Sequence, residues 1–348
     1  MVEQLPRVKS VNTPRDTPPT PLPLSILDLA PIGRGQTARD SFAASVALAQ
    51  QAESSGYRRV WYAEHHNIPS VASSAPSVLI AHIAAHTRSI RLGAGGIMLP
   101  NHAPLTIAEQ FGTLESLHPG RIDLGLGRAP GSDQNTMRAM RRDPRAADTF
   151  PEDVLELQAY LAGKSRIRGV EATPGKGTNV PLYILGSSLF GARLAAALGL
   201  PYAFASHFAP HSLHEAVATY RREFEPSAQL ASAYVMAGLN VIVADTSSKA
   251  GEQFLAMKRA RASVLFGQGR IFTDEEADVV LESPAGRQVE QMVTYSAVGT
   301  PPEVREYVDR FVRHADADEL IVTHPSPTIE ARLRSVELLA STMERPSV

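Results

Sequence analysis

The chain has 348 residues, of which 43% are hydrophobic and 20% charged, enough to bury a large core without a disulfide or a structural metal. Its 34 Lys and Arg nearly balance 36 Asp and Glu, which excludes a nucleic-acid-binding protein driven by bulk charge. The absence of cysteine excludes thiol catalysis, Cys-ligated zinc, iron–sulfur clusters and disulfides together. With no apolar run near the ~20 residues of a membrane span, we expect a cytoplasmic protein without a membrane partner.

The first 23 residues differ in composition from the rest of the chain. They contain six prolines and no apolar run of signal-peptide length. Proline removes backbone hydrogen-bond donors and favours extended conformations. We therefore predict a flexible arm over residues 1–23, followed by one domain over residues 24–348.

From residue 24 onward, short apolar runs typical of buried strands alternate with segments of helical period. Thr37 and Asp40 have the spacing of a helix capping box, and Pro104 can open a helix. The strands are predicted at 24–30, 60–63, 90–98, 122–126, 181–185, 202–205, 239–244 and 319–323. Helices are predicted, among other places, at 75–86, 152–161, 189–198, 211–224 and 329–343.

Eight strands that alternate with helices predict parallel pairing with right-handed crossovers. The fold class is therefore α/β, and the strand count favours a single closed (β/α)8 TIM barrel over an open sheet. Residues 249–295 are too long for a simple connection between two of these elements. They predict an insertion at the barrel rim, which is either an active-site lid or an extra surface helix with a solvated basic face.

In such a barrel the reactive groups gather just past the carboxyl ends of the strands. The sequence at those positions is rich in polar residues and glycine. In chain order they are Glu64-His65-His66, Gly95-Gly96, Gly127-Arg128, Gly186-Ser187-Ser188 and Ser206-His207.

The two adjacent histidines could be metal ligands or proton carriers. Neighbouring residues of an extended segment point to opposite faces, so His65 and His66 are poor joint ligands. We therefore disfavour a metal-dependent hydrolase and assign no metal site. A neutral histidine that acts as a base beside the carboxylate of Glu64 fits better, and two purely structural histidines are the alternative.

The remaining strand ends allow a flat ligand that carries an anionic group. Gly95-Gly96 permits close approach of a planar ligand, or is an ordinary bulge. Arg128 could pair with a phosphate, and Ser187-Ser188 before a helix form either an anion site or a simple cap. The glycines around Arg128 lack the spacing of a dinucleotide-binding loop, so we reject a Rossmann fold.

Three motifs in this order resemble those of the bacterial luciferase-like flavin monooxygenases. They are Trp61-Tyr-Ala-Glu64-His65-His66-Asn67, Leu92-Gly-Ala-Gly-Gly-Ile-Met-Leu-Pro100 and Pro119-Gly-Arg-Ile-Asp-Leu-Gly-Leu-Gly-Arg128. The resemblance continues through residues 181–188 and 315–322 and covers about residues 24–340. It is highly specific for the family and much less so for a substrate.

The resemblance implies roles for individual residues. His65 matches the acid/base near the reactive edge of the flavin, and Glu64 matches the acid beside the isoalloxazine ring. Gly95-Gly96 matches a cis peptide that packs against that ring. The phosphate-binding residues of the family match Arg128, Ser187 and Ser188.

The activity implied is that of a flavin-dependent monooxygenase. Reduced FMN, supplied by a separate reductase, reacts with dioxygen to give a C4a-peroxyflavin, which oxidises a small organic substrate. Gly127 stands where light-emitting luciferases carry a reactive cysteine, so the chain resembles the non-luminescent branch. Asn101 and His102 are candidates to face the substrate.

Two alternative functions are an oxidoreductase that uses the deazaflavin coenzyme and a non-catalytic flavin-binding protein. A homodimer is expected, because the small residues of 75–86 permit close helix packing and the corresponding helices pair in the family.

Overall fold

Parallel strands form a closed barrel. The computed structural model describes residues 22–129, 131 and 133–344, so the predicted arm lies outside the described residues up to residue 21. The strands are β1 (Leu24–Asp28), β2 (Arg59–Tyr62), β3 (Arg91–Met98), β4 (Ile122–Gly127), β5 (Leu182–Gly186), β6 (Tyr202–Phe204), β7 (Val235–Val243), β8 (Ser296–Gly299) and β9 (Glu319–Thr323).

Strands β1 to β7 pair in chain order, β7 then pairs with β9, and β9 pairs with β1. Every one of these pairs is parallel. The eight strands therefore close on themselves, and the predicted (β/α)8 barrel is confirmed.

Two features of the sheet differ from the prediction. Strand β7 begins at Val235, four residues before the predicted start at 239. Its second half pairs with β8, a short extra strand that the sequence did not predict. Both segments give weak strand signals because alanine, glycine and serine interrupt their apolar residues. Gly238 in β7 is required by packing, since a Cβ there would lie 2.4 Å from Nδ1 of His207.

The helices surround the barrel, and local sequence explains where several of them begin. The side chain of Thr37 caps α1 reciprocally with Asp40, as the capping-box spacing predicts, and Pro104 is the first residue of α3. The helices are α1 (Ala38–Ser54), α2 (Pro76–Ala84), α3 (Pro104–Leu117), α4 (Gln134–Ala139), α5 (Phe150–Leu161), α6 (Leu189–Leu198), α7 (Leu213–Glu223), α8 (Ser247–Phe266), α9 (Asp274–Glu282), α10 (Gly286–Met292), α11 (Pro301–Ala315) and α12 (Ile329–Glu344).

A buried charged layer fills the amino-terminal end of the barrel. Arg59, 1% exposed, donates to Asp123 at 2.7 Å and to the Tyr183 hydroxyl at 2.6 Å. Its Nε lies 3.0 Å from Oε1 of Glu319. These residues lie at or next to the first residue of β2, β4, β5 and β9. The layer closes this end of the barrel, so the functional residues lie at the opposite end.

The insertion predicted at residues 249–295 is helical and lies at the carboxyl end of the barrel. Helices α8, α9 and α10 follow β7 and precede β8. Arg34, in the loop after β1, donates to the carbonyl of Phe272 at 2.8 Å and to Asp274 at 3.2 Å. The connection between α8 and α9 therefore reaches the loop that follows β1. Its action as a lid stays a prediction.

Across the described residues, we find no helix that combines the length and the apolar character needed to cross a membrane.

Candidate active site

Glu64 is at the centre of a hydrogen-bond network just past the end of β2. Its carboxylate is fully buried. The backbone N–H of Met98 donates to Oε2 at 2.9 Å, and Nε2 of His66 and of His102 donate to Oε1 at 2.8 and 2.9 Å. The amide of Asn101 donates to the same oxygen at 3.4 Å. Residues from the ends of β2 and β3 are thus joined through one carboxylate.

These donors keep Glu64 ionised. Burial by itself raises the pKa of a carboxyl group, but the hydrogen bonds from His102, His66 and the Met98 N–H together lower the pKa of Glu64 to about 2. An ionised carboxylate only accepts hydrogen bonds, so both imidazoles present an Nε2–H to it. At neutral pH Glu64 has no proton to give to a reacting group.

Asn101 and His102, predicted to face the substrate, are both hydrogen-bond donors to Glu64. Asn101 is buried, and His102 is partly exposed. In this structure the two residues hold the carboxylate in place, and contact with a substrate stays a prediction.

His65 makes no hydrogen bond to Glu64 among the described residues. Its backbone N–H donates to the carbonyl of Ser73 at 3.2 Å, and the carbonyl of Gly131 accepts from the backbone N–H of His66 at 3.3 Å. Burial lowers the pKa of His65, although the neighbouring Gly131 carbonyl and the charge of Glu64 oppose this effect. The adjacent histidines therefore have different surroundings, as expected for an extended segment, and His65 is a neutral imidazole at neutral pH.

His207, just past β6, joins the same end of the barrel. The residue is 7% exposed, and its buried Nδ1 has no hydrogen-bond partner among the described residues. Burial lowers the pKa of His207 to about 3, and the positive charge of Arg261 acts in the same direction. The sequence places His207 at a strand end but assigns it no role. That position is the one feature of the sequence that points to His207. Its burial could not be predicted, because the neighbouring residues, such as Gly238 of β7, are distant in the chain.

Arg128 and the start of α6 form a basic, hydroxyl-bearing surface past β4 and β5. The Arg128 guanidinium lies 4.1 Å from the centre of the Phe190 ring, in the first turn of α6. Among the described residues Arg128 has no salt bridge, and the side chain of Ser188, the N-cap residue, makes no capping hydrogen bond. Ser187 precedes it and is half-buried. The fold therefore brings Arg128 to the amino terminus of the helix that the two serines precede.

The Gly95–Gly96 pair lies inside β3, and its peptide bond is cis, as the resemblance implies. A Cβ at Gly95 would lie 2.7 Å from Cδ1 of Leu27 and 2.9 Å from Cβ of Trp61. At Gly96 it would lie 2.7 Å from the carbonyl oxygen of Gly125. A side chain at either position would therefore overlap neighbouring atoms.

The model of the luciferase-like monooxygenases matches residues 22–318. The chain belongs to this family. It is 47% identical over 323 residues to a protein of Escherichia coli (strain K12) called luciferase-like monooxygenase, a match that covers 92% of this chain and 96% of that one. It is 33% identical to the N-acetyl-S-alkylcysteine monooxygenase of Bacillus subtilis (strain 168), over 91% of this chain and 97% of the relative.

The crystal structure of apo-MsnO8 is similar to this luciferase-like monooxygenase. The two have 34% sequence identity and a TM-score of 0.84, and the match covers 93% of this chain and 98% of the other. The family resemblance stated from the sequence is thus confirmed. This luciferase-like monooxygenase is an oxidoreductase.

Proposed function

We propose that this luciferase-like monooxygenase uses reduced FMN and dioxygen to oxidise a small organic substrate, and that a separate reductase supplies the reduced flavin. One observation carries the proposal. An arginine that has no acidic partner among the described residues and a neutral, largely buried histidine lie past strand ends at the same end of the barrel. The first suits a phosphate, and the second suits proton transfer.

The residues fit FMN at two places. Its phosphate would be held by the Arg128 guanidinium, the hydroxyls of Ser187 and Ser188 and the amino terminus of α6, where backbone N–H groups and the helix dipole favour an anion. Its ring would lie near the cis peptide Gly95–Gly96, as the family resemblance implies. Bound in reduced form, the flavin supplies the two electrons that activate dioxygen.

The protein's own side chains would divide the remaining tasks. Ionised Glu64 holds the ends of β2 and β3 in a fixed arrangement and transfers no proton. His65 accepts or returns a proton at its imidazole nitrogen, because its lowered pKa keeps it neutral at neutral pH. The helices α8 to α10 lie over part of this end of the barrel and would limit access of water to the reaction.

The substrate class and the oligomeric state are part of the proposal. The named activity of the Bacillus subtilis relative supports a thioether as the substrate, because a thioether is a soft nucleophile that accepts an oxygen atom.

A homodimer that pairs through α2 is supported by the exposed positions of that region, Ala75, Val78 and Ala85. Light scattering at micromolar concentration tests the dimer, and a monomer would contradict it.

The deciding experiment for the activity is a titration of the purified protein with oxidised and photoreduced FMN under anaerobic conditions, followed by admission of oxygen. We expect reduced FMN to bind and, once bound, to consume dioxygen. His65→Ala should retain FMN affinity and lower the turnover rate about 10²- to 10⁴-fold. The matched control is His118→Ala at the end of α3, which should leave both quantities unchanged.

Failure to bind either form of FMN would contradict the proposal, and reduced deazaflavin coenzyme would then be titrated in its place. A His65→Ala variant with full turnover would remove the proton-transfer role. A wild type that binds FMN but shows no turnover would favour a non-catalytic flavin-binding protein.

A further inference from the structure

Two imidazole rings meet between helices α7 and α11, in the helical layer that surrounds the barrel. His214 lies in the first turn of α7 and is exposed, and His314 lies in the last turn of α11 and is partly exposed. Nε2 of His214 is 3.0 Å from Nδ1 of His314, the ring centres are 3.9 Å apart, and the ring planes meet at 75°. Two nitrogens of the kind that bind metal ions therefore lie together at the surface, on elements that are distant in the chain.

The second nitrogen of His314 has a partner of its own. The hydroxyl of Tyr295, a residue that is 7% exposed and directly precedes β8, lies 2.9 Å from Nε2 of His314. When Nε2 carries the proton and donates it to the Tyr295 oxygen, Nδ1 keeps a free lone pair on the side of His214. In metal sites, a hydrogen bond to the outer nitrogen in this way fixes the tautomer and the orientation of a ligating imidazole.

Neither ring is occupied by a charged partner. Among the described residues, no carboxylate and no basic side chain forms a hydrogen bond or salt bridge with His214 or His314. Burial lowers the pKa of His314 to about 4. This imidazole is therefore neutral at neutral pH, as a metal ligand must be.

The two helices are held together independently of the rings. Arg221, further along α7, forms salt bridges of 2.6 Å with Asp316 and 2.9 Å with Asp318, which follow α11. These contacts fix α7 against the end of α11. An incoming ion would therefore find both nitrogens already in position, which favours its binding.

We propose that His214 and His314 form a binding site for a divalent transition-metal ion, with Cu²⁺ as the preferred ion. Its protein ligands are Nε2 of His214 and Nδ1 of His314, and Tyr295 is a positioning residue. Water molecules complete the coordination, because the described part of the chain holds no group of three His, Asp or Glu residues that suits an ion. The exposure of His214 leaves room for that water.

The separation of the two nitrogens suits such an ion. Two metal–nitrogen bonds of about 2.0 Å place their nitrogens about 2.8 Å apart at a right angle and about 3.3 Å apart at a tetrahedral angle. The observed 3.0 Å lies between these values. Imidazole suits copper, nickel and zinc, and Cu²⁺ binds most tightly of the three. The alternative role of the pair is a plain hydrogen bond between the rings.

The test is a titration of the purified full-length protein with copper(II) chloride, after removal of bound ions with EDTA and dialysis, followed by calorimetry and electron paramagnetic resonance. The wild type should bind Cu²⁺ with coupling of the electron spin to two nitrogens. Tyr295→Phe should weaken binding about 10- to 100-fold, as loss of an outer-shell partner does. His214→Ala removes a ligand from an exposed position and should weaken binding further.

A matched control is His82→Ala. His82 and His86 form another pair of exposed histidines, on α2 and just after it, with ring centres 4.6 Å apart. There Nδ1 of His86 donates to the carbonyl of His82 and does not face the second ring nitrogen. This variant should keep the wild-type affinity for Cu²⁺. As a second readout, Cu²⁺ should raise the Tm of the wild type and of His82→Ala but not that of His214→Ala, because an ion that bridges two helices binds the folded chain.

Absence of Cu²⁺ binding to the wild type, or equal binding to the wild type and to His214→Ala, would overturn the proposal. The imidazole pair would then be a hydrogen bond between two helices. Loss of binding in His82→Ala with full binding in His214→Ala would also overturn it, by assigning the ion to α2.

Discussion

Replacing Glu64 by Gln tests whether one ionised carboxylate organises the active site. The pKa of Glu64 is about 2 in the folded protein, against an ordinary value of 4.5. A folded-state pKa below the unfolded one stabilises the protein above the unfolded value, and this stability is lost as the pH falls towards the folded value. The difference corresponds to about 3 kcal/mol at pH 7 and about 2 kcal/mol at pH 3.5.

The Glu64→Gln variant lacks this contribution at every pH. We therefore expect it to be less stable than the wild type by about 3 kcal/mol at pH 7, with the gap narrowing by about 1 kcal/mol by pH 3.5. Urea unfolding at several pH values measures the gap. The single tryptophan, Trp61, is fully buried in the barrel and provides the fluorescence signal.

The control is Glu282→Gln, an exposed position at the end of α9 without a hydrogen bond or salt bridge among the described residues. It should match the wild type within about 0.5 kcal/mol at each pH. A stability gap for Glu64→Gln that stays constant between pH 7 and pH 3.5 would refute the reasoning. The carboxyl group would then titrate alike in the folded and unfolded states.

Substitutions of Arg59 and Arg128 give two further predictions. Arg59→Met leaves two buried carboxylates without their shared cation, so urea unfolding should show a loss of about 3–5 kcal/mol. Arg58→Met, which removes a side chain that is 46% exposed, should cost less than about 1 kcal/mol, and equal losses for the two variants would contradict the argument. Arg128→Met should lower FMN affinity about 10- to 100-fold in a fluorescence titration and leave riboflavin affinity unchanged, since riboflavin lacks the phosphate. Equal losses for both flavins would show that Arg128 does not hold the phosphate.

The barrel could be predicted from the sequence because most of its strands are short apolar runs between segments of helical period. Strand β9 begins and ends where the prediction places it, at Glu319 and Thr323. The first half of β7 and the whole of β8 could not be recognised in the same way. Gly238 is required because the His207 ring packs against it and leaves no room for a side chain. A glycine at this position interrupts the apolar run, so the local sequence no longer resembles a strand.

Part of the candidate site was also visible in the sequence. Glu64 and His65 directly follow an apolar strand. In a parallel barrel this position alone predicts that they belong to the active site. Their division of tasks was not visible from the residues alone. The low pKa of Glu64 depends on donors from His102 and Met98, which lie more than thirty positions along the chain. The sequence singles out Asn101 and His102 but cannot show that both face a carboxylate.

The helix α8 shows what closer attention to helical period would have added. Ala250 and Met257 are buried on its inner face, and Phe254 packs against the same cluster. Arg261 follows Met257 by four residues, so the period places it at the edge of this face, where it is only partly exposed. Lys258 directly follows Met257 and lies off the stripe, where its charge is neutralised by a partner. The position of each charge within the helical repeat, and not the number of basic residues in the segment, therefore indicates which of these side chains are solvated.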